Sequence, residues 1–270
     1  MSTLDPEQPI PDSHPVSHRL AYHRDLDELA AGVLRLGAMA CETIPRGTEV
    51  LLGGSLANAQ EVIDADDEID ALTMELEERC YQIIALQAPM AGELRRLIAI
   101  SKLVAEIERS ADLMVNICKA SRRMYGAELT PQIRGVLSSM SKEANKLLRL
   151  SLDAFADENV SLASALGDID DTLDQLNRDI VEAIFEAHAA ESINLAAAVQ
   201  LALIARYYER IGDHAVNIGE RVTYMVTGWL PEHNGMLRVQ NRSAIAESAA
   251  EDAAEEAAAD AAAAESDGDQ

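Results

Sequence analysis

Two twelve-residue stretches of the 270-residue chain, ERSADLMVNICK from Glu108 and ERIGDHAVNIGE from Glu209, are identical at six positions. Each sets out an acid, a second acid four residues on and an amide four further: Glu108, Asp112 and Asn116, then Glu209, Asp213 and Asn217. At 3.6 residues per turn such a spacing forms one stripe along an α-helix. Acids at i and i+4 repel each other by a few tenths of a kcal/mol, so helix propensity alone does not favour the pattern. Its recurrence, beside Arg109 and Arg210, marks an internal repeat.

The repeat extends further. DDEIDAL from Asp66 echoes DDTLDQL from Asp170, giving the acid pairs Asp66/Asp70 and Asp170/Asp174 on the preceding helix of each half. In an antiparallel hairpin these pairs face the ERxxD acids across a groove. Carboxylates gathered in this way suit a hard or borderline cation, Mg, Mn, Fe or Zn, with water completing its shell. The competing reading is a merely solvated face opposite the core, in a scaffold whose acids serve only solubility. A di-iron oxidase bundle is a third reading, but it projects Glu-x-x-His motifs inward. None of the six histidines follows an acid by three residues. His214, directly after Asp213, points about 100° away from it, as expected for a surface or inter-helix hydrogen-bonding histidine rather than a ligand. No nucleophile–base constellation or Gly-rich phosphate loop is present.

The elements that must position these acids are helical. Ala and Leu dominate, and aromatic residues make up only 3% of the chain. Six long patterns emerge: about Arg19 to Leu52, Ser55 to Gln87, Pro89 to Met124, Thr130 to Ala156, Ser161 to Ala189, and Ser192 to Thr227. Pro45 should kink or interrupt the first. Ser55 and Thr130 are expected N-caps, with Pro131 at the first helical position. In the last helix Leu201, Ile204, Tyr208, Ile211, Ala215, Ile218, Val222 and Met225 make the core stripe, and Ile100, Leu103, Ile107, Ser110, Met114, Ile117, Ser121 and Met124 its partner. The expected fold is all-α: two tandem three-helix bundles, 19–126 and 130–230. A disordered leader (1–18) and a disordered acidic Ala/Glu/Asp tail (240–270) flank them.

The net charge is −25, and nine acids with no Lys or Arg lie from Glu247 onward, leaving −16 on the rest. That balance disfavours nucleic acid and anionic lipid and permits cations or a basic partner. Cys41, Cys80 and Cys118 sit inside helical patterns without a CxxC pair and are expected to be buried in a reducing compartment. No signal core or membrane-length apolar run occurs, so a cytoplasmic protein without direct membrane insertion is expected.

YYERIGDHAVNIGER, ERSADLMVNI, VIDADDEIDAL and LQAPMAGELRRLIA together resemble the PhoU family, accessory proteins of phosphate-specific transport, over about residues 19–230. The family's E/D-x-x-x-D signature falls on Glu108/Asp112 and Glu209/Asp213. The resemblance implies two three-helix bundles in pseudo-twofold repeat, metal clusters on the acidic faces, and frequent homodimers. It further implies a non-enzymatic negative regulator of phosphate uptake and phosphate-starvation signalling. Such a regulator docks on the ATP-binding subunit of the phosphate ABC transporter and on the phosphate-sensing histidine kinase. Three features depart from the pattern: Pro45 to Gly47, Leu113 where the second half has His214, and the acidic tail.

Overall fold

The computed structural model describes residues 14–229, and every regular element among them is an α-helix: α1 (His14–Gly53), α2 (Leu56–Asp64), α3 (Asp66–Gln87), α4 (Gly92–Arg123), α5 (Pro131–Ala156), α6 (Val160–Ala189) and α7 (Leu195–Thr227). Most of the expected leader and all of the expected acidic tail lie outside the described residues.

Helix starts follow local chemistry. Ser55 Oγ accepts from the Asn58 amide, and Thr130 Oγ1 accepts from the Ile133 amide ahead of Pro131. The last two helices are capped by Asn159 and Asn194, whose Oδ1 atoms accept from the Leu162 and Ala197 amides at 3.0 and 2.8 Å. These caps lie two residues away from the serines expected to start those helices. Asn ranks beside Ser as an N-cap, and here the Asn side chain closes the first turn.

Two departures are larger. The second helical pattern is two helices, broken at Ala65, and α3 opens with Asp66, Asp67 and Glu68 in its first turn. Acids there complement the exposed amides of a new helix start, which makes restarting favourable at that point. Pro45, in contrast, does not end α1, which continues as helix to Gly53. The lost backbone donor is outweighed by packing: Ile44, Thr48, Val50 and Leu51 are all buried on either side of it. A Cβ added at Gly47 would stand 2.5 Å from Met114 Cε, so α1 crosses α4 closely at this turn.

Helices α1, α4, α7 and α5 pack as the four sides of a square, each touching its two neighbours. Helix α3 lies in the groove between α1 and α4, and α6 lies between α5 and α7. The repeat therefore maps α1 on α5, α3 on α6 and α4 on α7. The two units stand side by side around one contiguous core. All eight expected core positions of α7 are buried; in α4 only Ser121 is half-buried. Deep within this core, Thr48 Oγ1 lies 2.7 Å from both Ser141 Oγ and Tyr208 Oη, joining α1, α5 and α7.

Charge is unevenly shared. The outer helices α3 and α6 each carry seven acids and one arginine, whereas α5 carries four basic residues and two acids. Among the described residues no helix is long and apolar enough to cross a membrane.

Candidate metal centre

Each helical hairpin holds an acidic trough. In the first, Asp66 and Asp70 of α3 face Glu108 and Asp112 of α4. Burial raises the Asp66 carboxyl to about 6, and the charges of Asp70 and Asp112 push the same way against Lys119. Glu108 is likewise raised, by burial first and then by Asp112, Asp70 and Asp66. The four expected carboxylates thus sense one another across the groove. Within the α4 stripe Glu108 and Asn116 are half-buried and Asp112 is exposed; across the groove Asp66 is half-buried and Asp70 exposed. The stripe is the rim of a groove and not a fully solvated face, because α4 is covered by α1, α2, α3 and α7.

In the second trough, burial raises Asp170 to about 6, reinforced by Asp174, Asp213 and Asp171. Asp170 Oδ1 is buried without a hydrogen-bond partner, an acceptor arrangement that a cation or a proton would relieve. Gly212 makes the position possible: a Cβ there would collide with Asp170 Oδ1 and with the Leu173 side chain. One heptad on, a Cβ at Gly219 would come 2.7 Å from the Ala163 carbonyl oxygen. Ala111 and Cys118 hold these two positions in α4.

The troughs are not equivalent. Arg206 pairs with Glu209 and reaches Asp213 Oδ2 at 3.8 Å, so a guanidinium already occupies part of the second site. The repeat places Ala105 at the matching position of the first. Among the described residues no three His, Cys, Asp or Glu side chains are gathered into a ready-made ligand set. The donors fit an oxygen-liganded cation in chemistry, and side-chain rotation would have to bring them together.

Sequence reasoning passed over Glu106. Only 8% exposed, its Oε2 lies 2.6 Å from His214 Nδ1 and accepts from Asn217 Nδ2 at 3.1 Å. Burial alone would raise this carboxyl. Hydrogen bonds from His214 and Asn217, with the charges of His214 and Arg109, outweigh that and hold it below the ordinary glutamate value. His214 is therefore the inter-helix hydrogen-bonding histidine, and Asn217 is turned in part toward α4. The signal was an acid set between Val104 and Ile107, inside an apolar stripe. Cys41, Cys80 and Cys118 are buried free thiols, and burial pushes them up to about 11, 12 and 11. At those values they are unreactive neutral side chains.

The PhoU domain family model matches residues 33–121 and again 137–222, one match per repeat. The chain is 33% identical over 214 residues to phosphate-specific transport system accessory protein PhoU homolog 1 of Mycobacterium tuberculosis, covering 79% of this chain and 96% of that one. The fold is similar to the crystal structure of PhoU from Pseudomonas aeruginosa (TM-score 0.72, 25% identity, 77% of this chain, 100% of that one). It is similar also to the phosphate transport system regulatory protein PhoU from Streptococcus pneumoniae (TM-score 0.71, 27% identity, 77% and 98%). With both ERxxD hairpins inside the matched segments, the chain belongs to the PhoU family.

Proposed function

We propose that the protein is a cytoplasmic, non-enzymatic accessory protein of phosphate transport that restrains uptake and silences the phosphate-starvation response when phosphate is plentiful. The observation that carries this reading is the pair of acidic troughs, repeated on matching helices of a chain whose relatives are named phosphate-transport accessory and regulatory proteins.

Each trough holds a divalent or trivalent cation, Mg, Mn, Fe or Zn, through Asp66, Asp70, Glu108 and Asp112 or through Asp170, Asp174, Glu209 and Asp213. Asn116 and Asn217 stand within one helical turn as auxiliary oxygens. A bound cation offsets the burial and the carboxylate repulsion that together raise Asp66, Glu108 and Asp170, and removes two or three of the four negative charges of each ledge. Partner choice follows from that charge, because like-charged surfaces reject each other and complementary ones are steered together. The partners are the ATP-binding subunit of the phosphate ABC transporter and the phosphate-sensing histidine kinase, and the protein acts as a homodimer. Deleting the gene and assaying a phosphate-starvation reporter in phosphate-rich medium tests the role. Constitutive expression is expected, and normal repression rejects it.

A further inference from the structure

On the opposite edge of the helical square, between α1 and α5, the polarity reverses. A cavity of about 420 Å³ opens there, lined by Thr48 and Glu49 of α1 and by Arg134, Ser138, Ser141 and Lys142 of α5. Arg134, Ser138 and Lys142 are spaced i, i+4, i+8 and so share one face of α5. At 1.5 Å rise per residue the two cations are anchored about 12 Å apart. They can reach in from either end over the Ser138 hydroxyl. Neither the Arg134 guanidinium nor the Lys142 ammonium has an ion pair or hydrogen bond among the described residues. The floor is fixed, since buried Ser141 is bonded to Thr48, and Thr48 to Tyr208 in the core.

We propose that this cavity binds inorganic phosphate, with Arg134 and Lys142 holding the oxyanion and Glu49 accepting its P–OH. Two cations and a hydroxyl donor define an oxyanion site, because guanidinium and ammonium give the strong charge-assisted bonds that such ligands take. Glu49 narrows the choice. An ionised carboxylate is an acceptor only, so it repels an oxyanion without a proton and bonds to one that keeps an acidic hydrogen. Inorganic phosphate keeps at least one at neutral pH. Sulfate keeps none, and a phosphomonoester is mostly dianionic. The site stands apart from the acidic troughs and from the regulatory reading, because it is measured on purified protein without partners.

The test is equilibrium dialysis of the metal-free full-length protein against radiolabelled inorganic phosphate, with sulfate and phosphoserine as competitors. Saturable binding is expected, weakened about tenfold or more by Arg134→Gln and by Lys142→Gln. Lys119→Gln on α4 leaves it unchanged. Neither competitor displaces phosphate from the wild type at equal concentration, whereas Glu49→Gln lets sulfate compete. Circular dichroism confirms that each variant is folded. Absence of saturable binding at millimolar phosphate overturns the proposal. So does binding that survives both cation substitutions, or equal competition by sulfate or phosphoserine in the wild type.

Discussion

His214 Nδ1 lies 2.6 Å from Glu106 Oε2, across the seam where α7 of the second repeat packs on α4 of the first. The repeat offset maps Glu106 on Tyr207 and His214 on Leu113, so this clasp is made once and not twice. Removing one partner strands a buried charge. His214→Leu should destabilise the protein by about 3 kcal/mol in urea unfolding, whereas Glu106→Leu/His214→Leu together should cost within about 1 kcal/mol. A single variant as stable as wild type would show that the clasp contributes nothing.

Tyr208 is fully buried, and its hydroxyl meets Thr48 Oγ1 at 2.7 Å. Tyr208→Phe leaves the ring in place and deprives the Thr48–Ser141 pair of one partner. The expected loss is about 1 kcal/mol, at most about 3, read as a lower urea midpoint at unchanged slope. No shift in the midpoint would mean that Thr48 and Ser141 are satisfied without Tyr208.

Gly212 admits the Asp170 carboxylate to the backbone of α7. Gly212→Ala should push α6 outward, cost about 1–3 kcal/mol by overpacking, and weaken cation binding in the second trough while sparing the first. Ala111→Gly, at the matching position of α4, should not weaken binding in the first. Calorimetric titration of both variants separates the outcomes; undiminished binding by Gly212→Ala would detach Gly212 from the site.

The troughs predict an unusual pH profile for the metal-free protein. Asp66 and Asp170 are raised to about 6 in the folded chain, against about 3.9 when unfolded. The native state therefore binds more protons across that window, and stability falls as pH rises from about 4 to about 6. Glu106 acts oppositely: its carboxyl is lowered on folding, so its contribution is present at neutral pH and lost on acidification. Thermal melts in chelator should show a maximum at or below about pH 4, where that fall begins. Asp66→Asn with Asp170→Asn should flatten the falling limb, and a limb unchanged by the pair would place its cause elsewhere.

Much of this arrangement can be read from residue spacing. Three- and four-residue apolar steps locate the core faces of α4 and α7, and Ser55, Thr130 and Pro131 mark the starts of α2 and α5, because capping is local chemistry. Other features depend on packing that one chain segment does not display. Pro45 stays helical because its neighbours are buried on both sides, and the restart at Ala65 reflects an acid run rather than a breaker residue. Glu106 looks like one more surface acid until α7 is laid against α4. The acid stripe looks like the back of a helix until α3 and α6 turn it into a groove.

Metal stoichiometry tests the central claim most directly. Purified protein should be loaded with Mn, Fe, Zn or Mg, desalted and analysed for metal, alongside Asp66→Asn/Asp112→Asn, Asp170→Asn/Asp213→Asn and the fourfold variant. Two independent troughs predict that each double variant loses its own share of the metal, that the fourfold variant loses nearly all, and that helicity stays near wild type. Because Arg206 already engages Glu209 and Asp213, the first trough should hold the tighter fraction. Metal content equal in wild type and the fourfold variant would contradict the account.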